Sequence, residues 1–592
     1  MPEQRNLILA IVLSVTIIIG FQYFYELPRI QEDQRRQAAI EESTGGSTAP
    51  TPAPSSSTDG GTVSPAIPGS VPTGQPTAAS RESVLAEGAR ITIENGRLTG
   101  SFGVTGGRID DVVMTDYKVS IDPGADNVTL FNPAGSPDAY FAEFGWAPEN
   151  SDTVVPDQDT VWSTDRKELR PDQPVTLSWE NGQGLIFERR LEIDENYLIS
   201  VTQRVRNQSR DAVTLHPYGL VRRWGTPEIS GFFILHEGPI GVLSEQLTEV
   251  DYSDLLEGER NSQNRFEQAH ESADGWIGIS DKYWLAALIL DQNVDATTKF
   301  KFVHYLSDGE DRYQTDYLRP AMTVPAGSSI EVTDRLFACA KEVDLLDSYS
   351  QQFNIPLFDR AVDFGWFYWI TKPFFYVLHF FYELAGNYGI AILMLTLLVK
   401  IVFFPLANKS YRSMSQMKKL QPEMTRIREQ AGDDKMRMQK EMMELYKKEK
   451  VNPMSGCLPI IVQIPVFFAL YKVLFVSIEM RHAPFFGWIH DLSAPDPTSF
   501  FNLFGLLPFD PPTFLAIGIW PLLMGITMFL QTKLNPQPAD PVQAKVMLFL
   551  PLMFIFLFAT FAAGLVIYWT WNNVLSIAQQ WVIMRRMGVK VT

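Results

Sequence analysis

The residue with the clearest potential for chemistry is Lys400, which stands in the apolar run 388–407 with Thr396 one helical turn before it. Placing a lysine in the middle of a membrane helix costs about 2.5–3.5 kcal/mol, so such a cation usually faces protein or trapped water. There it could attract an acidic segment of another chain. Lys400 is also only seven residues from the end of the run, so its side chain could instead reach the lipid headgroups. Taken alone, the residue leaves both interpretations open.

A second polar set lies in the last apolar run, 565–583. Its members recur on adjacent faces of one predicted helix: Tyr568, Trp569, Asn572, Asn573, Ser576, Gln579 and Gln580. Because polar side chains are costly to expose to lipid, the set predicts either a hydrated groove or hydrogen bonds between helices. Gln463 and Thr396 could face the same space as Lys400, and with a lysine in the set we favour the groove.

The sequence offers little for bond-making chemistry. It has seven histidines without metal-ligand spacing and no phosphate-binding glycine loop. Its two cysteines, Cys339 and Cys457, predict no disulfide framework. A formal net charge of −18 argues against direct binding of nucleic acid. We therefore expect no metal, no other cofactor and no enzymatic activity.

Apolar runs predict how the chain crosses a bilayer. The run 7–25 predicts an anchor, and five further spans are predicted at 388–407, 456–477, 513–531, 546–562 and 565–583. Residues 364–384 are crowded with aromatic side chains and broken by Lys372-Pro373, which predicts a helix lying in the membrane surface. The loop 408–453 carries 12 Lys and Arg against 7 Asp and Glu, so we expect this loop and both termini to be cytoplasmic.

The same loop predicts a helical hairpin. Apolar residues recur at helical spacing on both sides of the turn at Ala431-Gly432-Asp433-Asp434: Met414, Met417, Leu420, Met424 and Ile427 before it, and Met438, Met442, Leu445 and Tyr446 after it. Methionine-rich surfaces accept varied apolar partners. We nevertheless expect most of these side chains to pack the hairpin against itself.

The polar middle of the chain divides into a linker and a β-domain. Residues 26–85 contain a stretch rich in Ser, Thr, Gly, Pro and Ala, which predicts a flexible tether. Residues 86–345 contain short alternating runs separated by turn signals such as Asn95-Gly96 and Asn181-Gly182. This pattern predicts a large antiparallel sandwich.

Together these segments resemble the YidC/Oxa/Alb family of membrane protein insertases, in the long form of Gram-negative bacteria. The similarity covers nearly the whole chain and rests on QRNLILAIVL (4–13), VDFGWFYWITKPFF (362–375), EQAGDDKMRMQKEMMELYKKEKVNPMSGCLPIIVQIPVFFALY (429–471), RHAPFFGWIHDLSAPDP (481–497) and GLVIYWTWNNVLSIAQQ (564–580). It implies a polytopic α-helical membrane protein of six transmembrane helices with a periplasmic β-supersandwich. The implied order is an anchor at 1–25, the linker at 26–85, the β-domain at 86–345, a connector with an interfacial helix at 346–384, and a five-helix core at 385–592.

The resemblance also implies roles for single residues. The cation of the family's hydrophilic groove falls at Lys400, where arginine is commoner; lysine keeps the charge but loses the planar fork that holds carboxylates. Glu441 matches the functional glutamate of the hairpin, beside Met438 and Met442. Thr396, Tyr568 and Trp569 match substrate-contacting positions, with tryptophan where some members have tyrosine.

We therefore expect an insertase of the bacterial inner membrane that inserts and helps fold nascent membrane proteins, alone or with the Sec translocon and the ribosome. The chain stops soon after Arg585-Arg586, without the long basic tail that helps some members hold ribosomes. The alternative is a membrane-tethered periplasmic enzyme or carbohydrate-binding module, with weak support from His236-Glu237 and His270-Glu271, because neighbours on a strand point to opposite faces. A solute transporter would predict inverted repeats, and none is evident.

Overall fold

In a computed structural model, the described residues are 79–229, 235–292, 296–432, 434–449, 451, 458–504, 507, 516–535 and 541–588. The predicted anchor at 7–25 and most of the predicted linker lie outside these residues. The described chain begins with a short helix, α1 (Arg81–Leu85), continues as a β-domain and ends in a helical region.

The β-domain contains twenty strands within the described residues. Their bounds are β1 Arg90–Glu94, β2 Leu98–Gly103, β3 Ile109–Lys118, β4 Asn127–Phe131, β5 Tyr140–Pro148, β6 Ser163–Thr164, β7 Glu168–Leu169, β8 Val175–Glu180, β9 Leu185–Ile193, β10 Leu198–Asn207, β11 Val213–Trp224, β12 Gly238–Leu243, β13 Gln246–Glu249, β14 Phe266–Ser272, β15 Gly275–Ser280, β16 Trp284–Ile289, β17 Thr298–Ser307, β18 Glu310–Leu318, β19 Met322–Val324 and β20 Ser329–Ala340. One helix, α2 (Tyr252–Glu257), interrupts them.

The strands form two sheets that pack face to face. Among the described strands, eleven make one sheet in the order β14-β17-β18-β11-β5-β3-β2-β1-β7, with β19 beside β11 and β4 beside β3. Nine make the other, in the order β13-β12-β15-β16-β20-β10-β9-β8-β6. Large side chains such as Trp146, Trp276 and Tyr197 are buried in the core. The predicted sandwich is confirmed, and only the short pairing of β1 with β7 is parallel among the described strands.

Local turn chemistry explains the predicted hairpins. Asn95-Gly96 joins β1 to β2, with Gly96 at a φ of 90°, and Asn95 accepts hydrogen bonds from the N–H groups of Arg97 and Leu98 through its side chain. Gly182 joins β8 to β9 at a φ of 72°. Glycine adopts such angles without the penalty that a Cβ atom brings.

The helical region follows β20. Its helices are α3 Val343–Phe353, α4 Tyr368–Ala385, α5 Tyr388–Val402, α6 Phe404–Ala431, α7 Lys435–Lys448, α8 Leu458–Val476, α9 Ile519–Leu534, α10 Pro541–Phe558 and α11 Ala563–Arg586, with 3-10 turns at Phe358–Ala361 and Ile478–Met480. The predicted interfacial helix corresponds to α4, and Pro373 lies within it without ending it. Helices α6 and α7 form the predicted hairpin.

The apolar run 388–407 is broken rather than straight. Helix α5 ends at Val402 and α6 begins at Phe404, with a bend of 69° between them. Pro405 has no N–H to donate to the carbonyl of Ile401, which favours a break at this point. The predicted span 388–407 is therefore bent at Phe403, and its crossing of the membrane stays a prediction.

Length and hydropathy give a mixed result for membrane crossing. Within the described residues no single helix is both long and apolar enough to cross a bilayer by itself, whereas the bent pair α5 and α6 meets the criterion jointly. Shorter apolar helices occur at Val462–Val476 and Ala544–Phe558.

Polar contacts just after α8 hold the end of this helix against the β-domain and against the start of α3. One oxygen of Glu479 accepts a hydrogen bond from the N–H of Val343 at 3.0 Å, at the start of α3. Arg481 donates to the carbonyls of Lys118 at 2.7 Å and Val119 at 3.3 Å, at the end of β3. The two parts of the chain are thus joined by directed hydrogen bonds as well as by apolar packing.

Candidate substrate groove

Lys400 lies near the end of α5 and faces α11. Its ammonium donates a hydrogen bond to the hydroxyl of Ser576 at 2.7 Å. Ser576 is 2% exposed, and its hydroxyl donates in turn to the carbonyl of Asn572 at 2.8 Å. Among the described residues, no carboxylate lies within ion-pair distance of Lys400. The cation is therefore held by a neutral hydroxyl inside a helix bundle, and its charge is left available.

A second polar contact joins α8 to α11. Gln463 donates a hydrogen bond from its side-chain amide to the hydroxyl of Tyr568, which is 2% exposed. Tyr568, Asn572 and Ser576 follow one another at intervals of four residues, so they share one face of α11. Lys400 of α5 and Gln463 of α8 thus both contact this face of α11, at Ser576 and Tyr568 respectively.

The neighbouring face of α11 has a different role. Asn573 is buried and donates to the hydroxyl of Thr527 on α9 at 3.3 Å. Gln580 donates to the side chain of Asn535 at 3.1 Å, just after α9. These two residues make the hydrogen bonds between helices that the sequence left as the alternative to a groove.

The side chains of two other predicted groove residues make contacts inside the bundle. Thr396 is 1% exposed, and its hydroxyl donates to the carbonyl of Ile392 on its own helix at 2.7 Å. Trp569 packs in an aromatic cluster, with ring centroids 4.8 Å from Phe467 and 5.2 Å from Phe558. Both side chains thus make contacts with other parts of the bundle.

The outer surface of the bundle is apolar. Ile401 is 62% exposed, Phe549 62% and Ile526 55%, on α5, α10 and α9 respectively. A soluble bundle places such residues inside, whereas here they lie outside and Lys400, Ser576 and Tyr568 lie within. Polar-in and apolar-out packing is what a lipid environment requires.

The sequence of this chain matches those of known membrane proteins. The family model described as 60Kd inner membrane protein matches residues 380–590, and the model of the YidC periplasmic domain matches residues 90–377. A membrane protein insertase YidC of Methylobacterium radiotolerans is 48% identical over 599 residues, covering 100% of this chain and 96% of that protein. The chain belongs to the YidC family of membrane protein insertases. This confirms the resemblance drawn from the sequence.

A second relative supports membership of this family. The membrane protein insertase YidC of Rhizobium meliloti is 46% identical over 598 residues, covering 100% of this chain and 97% of that protein. A crystal structure of an active YidC insertase with its first transmembrane domain resolved covers 83% of this chain and 91% of its own, at 16% identity and a TM-score of 0.34. That structural similarity is too weak to carry a conclusion.

In this YidC chain, the hairpin packs mainly against itself. Met424, Met442 and Leu445 form a buried cluster between α6 and α7, as the spacing predicted. Met436 is 80% exposed, and Met438 is partly exposed. Glu441 accepts a hydrogen bond from Arg437 at 2.7 Å, one turn earlier on α7. The predicted functional glutamate is thus half-buried in an ion pair within its helix.

Sequence reasoning missed Lys418. It lies on α6, seven residues after Tyr411 and four after Met414, and both of these pack on Ile583 of α11. The Lys418 ammonium is buried and has no hydrogen-bond partner in the described part of the chain, and burial lowers the pKa of this lysine. The helical spacing from Tyr411 was the signal that could have found it.

The β-domain gives little support to the alternative of an enzyme. The ring of His236 contacts Asp251 through Nδ1 and the carbonyl of Pro239 through Nε2, both at 3.1 Å. Glu237 instead accepts a hydrogen bond from the N–H of Lys282. Both ring nitrogens of His236 are therefore engaged by groups of the domain itself.

Proposed function

We propose that this protein inserts membrane proteins into the bacterial inner membrane by receiving their polar segments in a groove between α5, α8 and α11. The observation that carries the proposal is the ammonium of Lys400, bonded to Ser576 inside a bundle with an apolar outer surface. An acidic substrate segment would enter by attraction to that charge. The substrate's apolar segment would then move into lipid along the open side of the groove.

The driving force comes from the substrate rather than from a chemical reaction. About 20 apolar residues at roughly −0.3 to −0.6 kcal/mol each contribute on the order of −6 to −12 kcal/mol when they enter lipid. The task left to the protein is to lower the barrier for the polar segment, so no nucleotide or catalytic group is needed. A hydrated groove with one cation does this by replacing part of the lost hydration of a carboxylate.

Lys418 extends the proposed path. Its buried ammonium lies on α6, beyond the bend at Phe403, on the helix face that packs against α11. With the hairpin on the cytoplasmic side, a substrate would meet Lys418 before Lys400. Exposed Met436 would offer an adaptable surface to an apolar segment.

The proposed topology has six membrane spans, with the termini and the hairpin in the cytoplasm and the β-domain in the periplasm. The excess of positive residues in 408–453 supports this orientation. The proposed partners are nascent membrane proteins, the bilayer, the Sec translocon and the ribosome.

Site-specific photocrosslinking tests the groove. A photoreactive residue is placed at Asn572, on the groove face, or at Ile526, which faces outward, and a stalled single-span substrate with an acidic segment is added. We expect the acidic segment to crosslink from position 572 and not from position 526, and the Lys400→Ala variant to weaken the first signal. Equal crosslinking from both positions would contradict the proposal.

A further inference from the structure

A cleft of about 1300 Å³ lies between the β-domain and the helical region. One wall comes from the segment just before β12, from β13 and from the start of α2, another from the connector that leads into α4, and a third from α8. Aromatic side chains dominate the last two walls, among them Trp366, Tyr368, Phe468 and Tyr471. Trp366 is 99% exposed and Phe468 is 44% exposed, so the aromatic side of the cleft is open.

The position of the cleft in the fold indicates how deep in the membrane the cleft lies. Phe468 belongs to the apolar helix α8, and Trp366 stands just before the interfacial helix α4. Tryptophan and tyrosine concentrate where headgroups meet the acyl chains. Given the membrane placement of the proposed function, the mouth of the cleft lies at headgroup level on the side of the β-domain.

Most charges around the cleft are neutralised within the protein. Lys472 pairs with Asp363 at 2.8 Å, and His236 contacts Asp251 at 3.1 Å. Such satisfied pairs hold the walls in place, and they leave little to offer a ligand.

Two charged side chains are exceptions. Glu249, at the end of β13, has no hydrogen bond or ion pair within the described residues, and burial raises the pKa of its carboxyl. The guanidinium of Arg360 lies 3.4 Å from the ring centroid of Tyr368, and in the described structure its Nε atom is buried without a hydrogen-bond partner. Counting only the described residues, the cleft therefore presents one carboxylate and one guanidinium without an ion-pair partner.

The balance of charges selects among headgroups. Four carboxyl groups line the cleft, Glu237, Glu249, Asp251 and Asp363, against the two permanent cations Arg360 and Lys472. A purely anionic headgroup would be repelled by this excess of negative charge. A zwitterion matches both unpaired groups, and an ammonium is also attracted to aromatic faces.

We infer that this cleft binds the headgroup of phosphatidylethanolamine. The ammonium lies at Glu249 and the phosphate at Arg360, with the glycerol and acyl chains leaving past Trp366 and Phe468. The bound lipid fills the space between the β-domain and the interfacial helix.

Native mass spectrometry of the purified full-length protein tests this assignment. The protein is offered equal amounts of phosphatidylethanolamine and phosphatidylglycerol with identical acyl chains. We expect the wild type to retain the ethanolamine lipid about fivefold more than the glycerol lipid, a preference typical of one partly exposed charged contact. Glu249→Gln should bring the ratio close to equality, while Glu245→Gln, in the turn of the same hairpin and outside the cleft, should leave it unchanged.

Equal retention of both lipids by the wild type, or an unchanged preference in Glu249→Gln, would overturn the assignment. Arg360→Gln gives a second test, because it should weaken retention of both lipids through the phosphate. Insertion activity is measured on the same preparations. If the wild type prefers the ethanolamine lipid but does not insert the substrate, the result counts against the proposed function alone. If the wild type inserts the substrate but shows no lipid preference, the result counts against the lipid site alone.

Discussion

Glu479 makes the contact between the end of α8 and α3, the helix that follows the β-domain, sensitive to pH. It lies in the 3-10 turn after α8, and one of its oxygens accepts the N–H of Val343, the first residue of α3. Its other oxygen is buried and has no hydrogen-bond partner among the described residues. Because the first N–H groups of a helix need acceptors from elsewhere, this carboxyl caps α3 from the core.

The magnitude follows from the pKa of this carboxyl. Burial raises the pKa of Glu479 from 4.5 to about 7, and Glu342 and Asp344 act in the same direction. At pH values between 4.5 and about 7, the Glu479 carboxyl keeps its proton while α3 is docked on it and releases the proton when the contact opens to water. Docking is therefore favoured at low pH and weakens as the pH rises toward 7. Over the whole pH range the free energy of opening this contact changes by at most about 3 kcal/mol. About 2 kcal/mol of that change falls between about pH 5.5 and about pH 8.

Hydrogen exchange measures this directly. The free energy of opening is obtained for a peptide covering residues 341–349 in lipid nanodiscs, after correction for intrinsic exchange. We expect the wild-type value to fall by about 2 kcal/mol between about pH 5.5 and about pH 8, and the Glu479→Gln value to stay flat. Glu383→Gln, which changes an exposed carboxyl on α4, should keep the wild-type slope. A flat wild-type profile, or a Glu479→Gln profile with the wild-type slope, would refute the reasoning.

Three further changes test other contacts. Asp334→Asn leaves Arg319 buried without its counter-charge, so the unfolding free energy of the β-domain should fall by about 3–5 kcal/mol; a denaturant midpoint within error of wild type would oppose this. Gln463→Leu leaves the buried hydroxyl of Tyr568 without its donor and should cost about 1–3 kcal/mol in thermal unfolding, whereas no shift would show that the contact is dispensable. Met442→Asp places a charge in the hairpin interior and should expose α6 and α7 to protease; unchanged resistance would mean that this cluster does not hold the hairpin.

The β-domain and the hairpin were predictable because their signals are local. Asn95-Gly96 requires a tight turn wherever the chain goes, and the turn residues fix which strands become neighbours. In the hairpin, the spacing of Met424 and Met442 indicates which helix faces meet, since a short turn brings the two helices side by side.

The broken span and the groove partners were harder to predict. Hydropathy averages over residues, so it does not register the break that Pro405 favours between α5 and α6. Contacts such as Lys400 with Ser576, or Asn573 with Thr527, depend on how each helix is rotated against others far away in the sequence. The polar pattern of α11 indicated that its faces meet polar partners, but it did not separate the face that meets Lys400 and Gln463 from the face that bonds α9.

Insertion by the purified protein in liposomes decides whether the groove works through Lys400. The substrate is a small single-span protein with an acidic outer segment, and protease protection is scored for the wild type, Lys400→Ala and Lys400→Arg. We predict protection above empty liposomes with the wild type and with Lys400→Arg. Lys400→Ala should lose most of it for the acidic substrate and keep it for a substrate whose acidic residues are replaced by amides. Undiminished protection of the acidic substrate by Lys400→Ala would contradict the role of the groove charge.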